Sequence, residues 1–219
     1  MLINRILSWV GVTSQQKGRI EEVEIKGEKV VLREKRLEDA ENDYRWRSDP
    51  ELATFDGVPP LRMSFNSYLS VFREELRYPS SRHRTFAIED RAGRHIGNCM
   101  YYDIDEVAGQ TELGILIGER EYWSKGYGTN AVDTLLHYIF STTKLNRVYL
   151  HTLDWNIRAQ KSFAKSGFIS IGPVKRSGHV FIAMEVYRSW MENKAKSGTS
   201  SHAETVDSSP EEDRRNLDL

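Results

Sequence analysis

Apolar and polar positions follow one another along this chain in patterns that predict both strands and helices. Three apolar residues at positions 30–32 predict a first strand. Residues 37–46 predict a polar helix with one apolar face, and Asp49-Pro50 predicts its end because a residue before proline avoids helical angles. The glycine and prolines between residues 55 and 61 indicate a loop. Ser64 then predicts the N-cap of a second helix.

The middle of the chain is typical of three neighbouring strands. Residues 85–89 and 96–102 are rich in β-forming side chains, and residues 90–94 between them have the composition of a hairpin turn. A third apolar run covers residues 112–117 and follows a predicted loop at residues 103–110. Because consecutive strands with short links are usually neighbours in one sheet, the pattern predicts an antiparallel meander.

The second half of the chain changes to helical periodicity and then returns to strands. Residues 130–143 predict a helix, residues 147–153 a strand, and residues 157–166 another helix that ends at Gly167. A strand–helix–strand unit of this length predicts a right-handed, parallel crossover between residues 112–117 and 147–153. Two last strands are expected at residues 168–174 and 180–187, which makes the predicted fold class α+β.

Both ends of the chain differ from this central pattern. Residues 1–22 form an N-terminal extension with an apolar face on a short predicted helix. Because such a helix is marginal alone, we expect it to pack on its own domain or on a second copy of the chain in a homodimer. Residues 192–219 are rich in Ser and charged residues, which predicts a disordered polar tail. The folded domain is therefore predicted to span residues 23–191.

Composition narrows the classes of function. The 219 residues carry a net charge of −1, so bulk charge does not indicate nucleic-acid binding. No apolar stretch is long enough for a membrane span, and Asn4, Arg5 and Ser8 interrupt the apolar run of a secretory signal. The single cysteine, Cys99, excludes a disulfide within the chain and suits the cytoplasm. The six histidines are not spaced as metal ligands, so we expect no metal.

A glycine turn before the helix at residues 130–143 is the first candidate for chemistry. Gly126 and Gly128 carry no side chain, and the N–H groups at a helix start attract phosphate. The spacing Gly-x-Gly-x-x-Ala also fits the dinucleotide fingerprint of a Rossmann dehydrogenase, with Asp154 as the ribose-binding acid. In that fold the first glycine follows its strand almost at once, whereas here eight residues separate Ile117 from Gly126. A further alternative is that the two glycines only form a tight turn at the start of the helix and bind no ligand.

Two motifs carry a more specific signal together than the glycine turn does alone. The first is Tyr-Trp-Ser-Lys-Gly-Tyr-Gly-Thr-Asn-Ala at residues 122–131, and the second is an Asn-x-x-Ala helix from Asn156 that ends in Lys-Ser-Gly-Phe. Following a meander, they resemble the GNAT superfamily of acyl-CoA N-acyltransferases, most closely its RimJ/RimL-like branch. Trp123 departs from the Gln or Arg often found in the superfamily, although it suits this branch. The resemblance covers residues 30–187 and implies a central mixed, mostly antiparallel sheet of about seven strands, splayed in the middle, with helices on both faces.

The resemblance also implies acetyl-CoA as the co-substrate, bound in the splay. Its pyrophosphate is expected on the backbone of Lys125, Gly126, Tyr127, Gly128 and Thr129. Its pantetheine amides are expected to pair with the strand backbone of Ile115, Leu116 and Ile117. A backbone N–H in that strand segment would also polarise the thioester carbonyl. Asn156 is expected to cap its helix, and in the family the matching residue also binds the cofactor or orients a water.

Acetyl transfer to an amine needs a base for the ammonium and a proton for the leaving thiolate. Glu112, at the start of the splayed strand, is the candidate base, and its alternative role is that of a solvated carboxylate at a strand edge. Many relatives place a tyrosine where this chain has Phe163, which donates no proton. Ser162 beside it is therefore the candidate donor, with an ordinary helix-packing serine as the alternative. Tyr122 and Tyr127 are further candidate donors.

Acidic and aromatic residues near the expected site indicate a cationic acceptor. Carboxylates precede the strand at residues 112–117 and follow the first helix, and they would attract an amine (Asp103, Asp105 and Glu106; Asp49, Glu51 and Asp56). Aromatic side chains supply candidate walls for the pocket (Tyr101, Tyr102, Trp46 and Phe55). The predicted acceptor is a primary amine on a protein N-terminus, polyamine, aminosugar, aminoglycoside or amino-nucleotide, and no residue in the sequence separates these classes. The alternatives are ordinary solvated acids and a non-catalytic acyl-CoA-binding module.

Overall fold

The computed structural model describes residues 23–191 and residue 193, and within them eight strands form one sheet. The expectations for residues 1–22 and for the tail lie outside the described residues. The strands are β1 (Glu24–Lys26), β2 (Val30–Glu34), β3 (His83–Asp90), β4 (His95–Asp105), β5 (Gln110–Ile117), β6 (Arg147–Leu153), β7 (Ile169–Arg176) and β8 (His179–Tyr187). Their spatial order is β1-β2-β3-β4-β5-β6-β8-β7.

The pairing of β5 with β6 is the feature that shapes the centre of the sheet. It is the parallel pair, whereas the other neighbouring strands pair antiparallel. The register runs from Gln110 opposite Arg147 to Glu112 opposite Tyr149 and stops there. Since β5 continues to Ile117 and β6 to Leu153, the two strands diverge over their carboxyl halves. The splayed, mostly antiparallel α+β sheet expected from the sequence is therefore confirmed.

Five α-helices cover the two faces of this sheet, and residues 188–191 of the described chain are helical as well. The five helices are α1 (Asp39–Ser48), α2 (Pro50–Asp56), α3 (Phe65–Arg77), α4 (Tyr127–Thr142) and α5 (Ile157–Lys165). The apolar side of α4 packs into the main core beside Cys99. The next residue back on β4, Asn98, bonds to Asp43 of α1, and successive strand residues face opposite sides. Helices α4 and α1 therefore lie on opposite faces.

Burial of α4 accounts for much of the stability of the central layer. Five of its apolar residues are at most 1% exposed (Ala131, Val132, Leu135, Leu136 and Ile139). Burying a Leu, Ile or Val side chain contributes about 1.5–3 kcal/mol each. Because this face is locked into the core, the N-terminus of α4 is held at the carboxyl end of β5, where the sheet splays.

Two local expectations are corrected by the structure, and one element is added. Strand β1 has three residues, too few for a hydrophobic period, and is an eighth strand at the edge of a sheet expected to have about seven. Strand β4 extends to Asp105, so Asp103 and Asp105 lie on a strand and not in a loop. Helix α2 occupies residues expected to end a helix and begin a loop. The Asp49 side chain accepts the N–H groups of Glu51 and Leu52, and Pro50 takes the first helical position.

A buried ion pair joins helix α1 to strand β2. The guanidinium of Arg33 in β2 bonds both oxygens of Asp39 at 2.8 Å, and its Nε donates to Glu89 at 2.6 Å. Burial alone would raise the pKa of Asp39, but the hydrogen bond from Arg33 and the nearby Lys35 charge lower it to about 2. This carboxylate therefore stays ionised and stabilises the fold over the physiological pH range.

Candidate active site

The splay leaves one edge of β5 open to a ligand. A Cβ built on Gly97 of β4 would collide with the carbonyl oxygen of Leu116, so that carbonyl faces β4. Main-chain groups alternate in direction along an antiparallel strand, and those of Ile115 and Ile117 therefore point towards the gap before β6. This edge has the geometry to pair with amides of an extended ligand. Leu116 lies between them with its backbone directed into the sheet.

The N-terminus of α4 opens beside that edge. Gly126 adopts φ 85°, a left-handed conformation that L side chains rarely accept. The first intrahelical bond runs from the N–H of Asn130 to the Gly126 carbonyl at 2.9 Å. The N–H groups of Tyr127, Gly128 and Thr129 precede that bond and lie outside the helical ladder. They form, with the positive end of the helix dipole, a site suited to phosphate.

A lysine from the far side of the sequence adds charge to this turn. Asn130 accepts the backbone N–H groups of Lys29 and Val30 at 2.8 and 3.2 Å, which anchors the β1–β2 turn against α4. The Lys29 ammonium donates to the carbonyl of Lys125 at 3.1 Å. A Cβ built on Gly126 would lie 3.5 Å from the same ammonium nitrogen. Lys29 is therefore at contact range of the turn that would hold a phosphate.

Helix α5 closes the turn from the other side. Asn156 caps it, with its side-chain oxygen accepting the N–H of Ala159 at 3.3 Å, which agrees with the predicted capping role. The Ser162 hydroxyl lies 2.8 Å from the hydroxyl of Thr129 in the first turn of α4. A Cβ built on Gly128 would lie 3.6 Å from the Ile117 side chain and 4.0 Å from Ser162. Phe163, by contrast, is packed in the core.

Glu112 lies where the pairing between β5 and β6 stops, and its carboxylate is not solvated at a strand edge. The residue is only 8% exposed. One carboxylate oxygen lies 2.8 Å from Nδ1 of His151 on β6. The hydroxyl of Tyr102 on β4 is also hydrogen-bonded to Glu112, and burial followed by this carboxylate raises the pKa of Tyr102. The structure thus brings an acid, an imidazole and a phenol together at the base of the splay.

An aromatic cluster covers the mouth of the splay. The indole N–H of Trp123 donates to the Ile117 carbonyl at 2.7 Å, so this side chain lies across the end of β5. Its ring is 5.5 Å from Phe55 of α2, and Phe55 is 5.4 Å from Trp155. The guanidinium of Arg158 lies 3.8 Å from the Trp123 ring centroid. Aromatic faces and a cation are therefore present where a coenzyme would enter.

Some of the carboxylates expected to attract an amine are already paired with an arginine, and one is not. Asp49 and Glu51 both bind Arg120, at 2.8 and 2.6 Å, so their charge is largely offset. Asp56, at the end of α2, is exposed. Because Arg120 binds the other two carboxylates and not this one, Asp56 is the strongest of the three candidates for attracting a cationic amine.

Three aromatic residues singled out from the sequence have other roles. Trp46 is 1% exposed and donates to Glu119, and Tyr101 is 5% exposed within the core. Neither lines an open pocket. Tyr122 donates its hydroxyl to Asp90 at 2.6 Å, a bond that raises the pKa of this tyrosine. Its proton is thus held at the β3–β4 turn.

Two residues of this region, His151 and Lys29, were missed by sequence reasoning. His151 lies at an alternate position of a β-rich run, where polar side chains facing outward are common. Lys29 lies in a turn rich in charged residues. Neither belongs to a motif, and only their positions in space mark them. In the described residues no helix has the length and apolarity needed for a membrane span, and no cluster of three or more His, Cys, Asp or Glu side chains could hold a metal.

Comparison with known proteins agrees with this geometry. The family model described as "Acetyltransferase (GNAT) domain" matches residues 29–169. An uncharacterized N-acetyltransferase p20 of Bacillus licheniformis is 29% identical over 148 residues, which cover 65% of this chain and 83% of that protein. A spermidine N(1)-acetyltransferase of Vibrio cholerae is 28% identical over 89 residues, 41% of this chain and 51% of the relative, so that match spans about half of its length.

The solved structures show the same architecture. The crystal structure of a spermidine N-acetyltransferase from Vibrio cholerae in complex with CoA and spermine superposes with a TM-score of 0.65 at 20% identity. The match covers 74% of this chain and 96% of that one. At this identity the likeness concerns the fold, whereas the family model concerns the sequence over more than half of the chain. The chain is therefore a member of the GNAT acetyltransferase family and an N-acetyltransferase.

Proposed function

We propose that this protein transfers an acetyl group from acetyl-CoA to a primary amine by direct transfer in a ternary complex. The observation that carries the proposal is the open β5 edge beside the free N–H groups of α4. A coenzyme that is both a phosphate ester and an extended diamide needs these two features side by side. The backbone from Lys125 to Thr129 would hold the pyrophosphate, and Lys29 would add a charge to it.

The strand edge would hold the thioester end of the coenzyme. The pantetheine amides would pair with the backbone of Ile115 and Ile117, and Leu116 would support this pairing from within the sheet. The indole N–H of Trp123 already donates to the Ile117 carbonyl oxygen. Because a carbonyl oxygen has two lone pairs, it can accept a second hydrogen bond. A backbone N–H of this segment would polarise the thioester carbonyl as negative charge develops on its oxygen.

Proton transfer would be divided between the two ends of the splay. Glu112 would drive removal of the proton from the substrate ammonium, which is the protonated form of an alkyl amine at neutral pH. Ser162 would donate to the leaving thiolate, and its bond to Thr129 places its hydroxyl at the first turn of α4. Asn156 would support the same region by capping α5 and by orienting a water or the coenzyme.

Two acceptor classes have specific support. A polyamine is favoured by the exposed carboxylate of Asp56 and by the spermidine acetyltransferases among the similar proteins. A protein N-terminus is favoured by the motif resemblance to the RimJ/RimL-like branch. Oligomer formation is proposed as well, since a spermidine acetyltransferase of this fold has a dodecameric structure.

The test is a thiol-release assay with acetyl-CoA and a panel of amines that includes spermidine, aminosugars, aminoglycosides and peptides with varied N-termini. We expect release of CoA above the hydrolysis rate with at least one acceptor, and mass spectrometry should show a gain of one acetyl group on it. Calorimetric binding of acetyl-CoA without turnover on the whole panel would instead support a non-catalytic coenzyme-binding module. Tight NADH binding without CoA binding would favour a dehydrogenase.

A further inference from the structure

His151 shares the buried base of the splay with Glu112. It lies two residues beyond Tyr149, where the register between β5 and β6 ends, and its Nδ1 is 2.8 Å from the Glu112 carboxylate. The two side chains are 10% and 11% exposed. A short contact between two poorly hydrated polar groups requires a proton between them, because two lone pairs would otherwise repel each other.

That requirement decides which nitrogen of the ring carries the proton. An ionised carboxylate only accepts, so the neutral imidazole must donate from Nδ1 and keep its lone pair on Nε2. No described residue bonds Nε2, and this nitrogen is absent from the buried polar atoms that lack a partner. Nε2 therefore keeps some exposure to solvent. Glu112, in contrast, is already engaged by His151 and Tyr102.

We propose that Nε2 of His151 is the direct proton acceptor for the substrate ammonium and that Glu112 is the positioning residue that fixes its tautomer. The inference rests on the proposed acetyl transfer and assigns its base. Nε2 carries a free lone pair, whereas the Glu112 carboxylate already accepts the Nδ1 proton of His151. Imidazole is also the side chain that most often serves as a general base.

Titratable and charged groups from the neighbouring strands face this pair, and they include Arg147 on β6. Tyr102 and Asp103 come from β4, Tyr149 from β6 itself, and Glu185 from β8 lies opposite Tyr149 in the register. The guanidinium of Arg176 on β7 lies 3.2 Å from Nδ1 of His151. Guanidinium groups only donate, so Arg176 acts on the pair through its charge, and the shorter contact to Glu112 decides the tautomer.

The proton balance of the step is complete. The ammonium R–NH₃⁺ gives one proton to Nε2, and the lone pair of R–NH₂ then forms the C–N bond at the thioester carbonyl. The tetrahedral intermediate collapses with cleavage of the C–S bond, and the sulfur leaves with the bonding electron pair. Ser162 gives its hydroxyl proton to the thiolate and recovers the second proton of the nitrogen, which yields R–NH–CO–CH₃ and CoA–SH. His151 then returns its proton to solvent.

The tautomer can be tested without any acceptor. Nitrogen-15 labelling of histidine, with long-range proton–nitrogen correlation spectra assigned by His151→Gln, reports which ring nitrogen is protonated. We expect the Nδ1–H form for neutral His151 in the full-length protein. The Nε2–H form would overturn the proposal, since the lone pair would then face the carboxylate.

Kinetics test the catalytic role with the acceptor identified by the amine panel. His151→Gln should lower kcat by about 10²–10⁴-fold, the usual contribution of a general base, and remove the acid limb of the pH–rate profile. In Glu112→Gln, the amide oxygen can still accept the Nδ1 proton of His151. This variant should therefore keep the acid limb of the pH–rate profile, displaced along the pH axis. His137→Gln on the exposed face of α4 is the matched control and should leave the profile unchanged.

Calorimetry and circular dichroism separate this role from a structural one. The His151→Gln variant should keep its coenzyme affinity and its fold. A variant that retains the acid limb and more than a tenth of the wild-type kcat would overturn the assignment of the base while acetyl transfer stands. If the wild-type protein binds acetyl-CoA without turnover on any amine, the proposed function fails instead, and the tautomer measurement is read independently.

Discussion

Replacing Lys29 with Met removes one positive charge from the turn before α4 while keeping a side chain of similar length. Its ammonium nitrogen is within 3.5 Å of a Cβ position on Gly126, close enough for a hydrogen bond to a phosphate seated on the same turn. Lys29 is exposed, so solvent screens this contact and its contribution should be near the upper end of surface pairs, about 0.5–1 kcal/mol. That corresponds to a roughly two- to fivefold rise in the Kd for CoA.

Isothermal titration at two ionic strengths measures both the size and the electrostatic origin of this effect. The Debye length falls from about 10 Å at 0.1 M salt to about 3 Å at 1 M, so the difference from wild type should shrink at high salt. Lys26→Met, on the same hairpin and also exposed, is the control and should bind CoA normally. An unchanged Kd for Lys29→Met at low salt, or a loss of equal size in Lys26→Met, would refute the placement of the phosphate beside Lys29.

Three further predictions concern the turn, the α5 cap and the buried ion pair. Gly126→Val forces a β-branched residue into φ 85°, which distorts the turn. Calorimetry should show that CoA binding is lost, and circular dichroism should show that the fold is intact. A normal affinity for CoA would contradict the phosphate site. Asn156→Ala removes the cap of α5 and should lower the free energy of unfolding in urea by about 1 kcal/mol, and no change would exclude a structural role for the cap. Asp39→Asn should lower the free energy of unfolding at pH 7 by about 3 kcal/mol, the lower end for a broken buried ion pair, because Arg33 keeps Glu89 as a partner. Unchanged stability of the variant in urea would contradict this.

The Asp39 variant should also change how stability depends on pH. The folded-state pKa of about 2 lies below the unfolded value of 3.8, so the ionised carboxylate stabilises the fold above about pH 4. This contribution, about 2 kcal/mol, is lost as the pH falls through the folded pKa of about 2. Urea unfolding between pH 5 and pH 2 should show that loss in wild type and a smaller one in the variant. Parallel curves would assign the acid sensitivity to other carboxylates.

The local sequence pattern was sufficient to predict the elements that have one buried and one open face. The limits predicted for residues 147–153 agree with β6, since alternation between a buried and an open face leaves a clear period of two. Ser64 caps α3 as expected, with its hydroxyl accepting the Ser67 N–H. Helix α2 was not foreseen because Asp-Pro signals both the end of one helix and the cap of the next.

The candidate site also contains features that the sequence could predict and features that it could not. The glycine turn and the capping asparagine are local, since each works through its own backbone neighbourhood, and the sequence pointed to both. The Glu112–His151 contact joins residues 39 positions apart on two parallel strands. It exists because the register of β5 against β6 sets the pair diagonally on one face, and because the sheet stops pairing there.

From the sequence alone came the family motifs, the alternation of strands and helices, and the phosphate turn, since all of these depend on short-range backbone chemistry. Tertiary structure decided which polar groups meet: Lys29 reaches the turn because Asn130 anchors a distant hairpin, and Asp49 and Glu51 are neutralised because Arg120 folds against them. Charges and proton positions depend on distances between elements, and those distances are set only when the sheet and its helices pack.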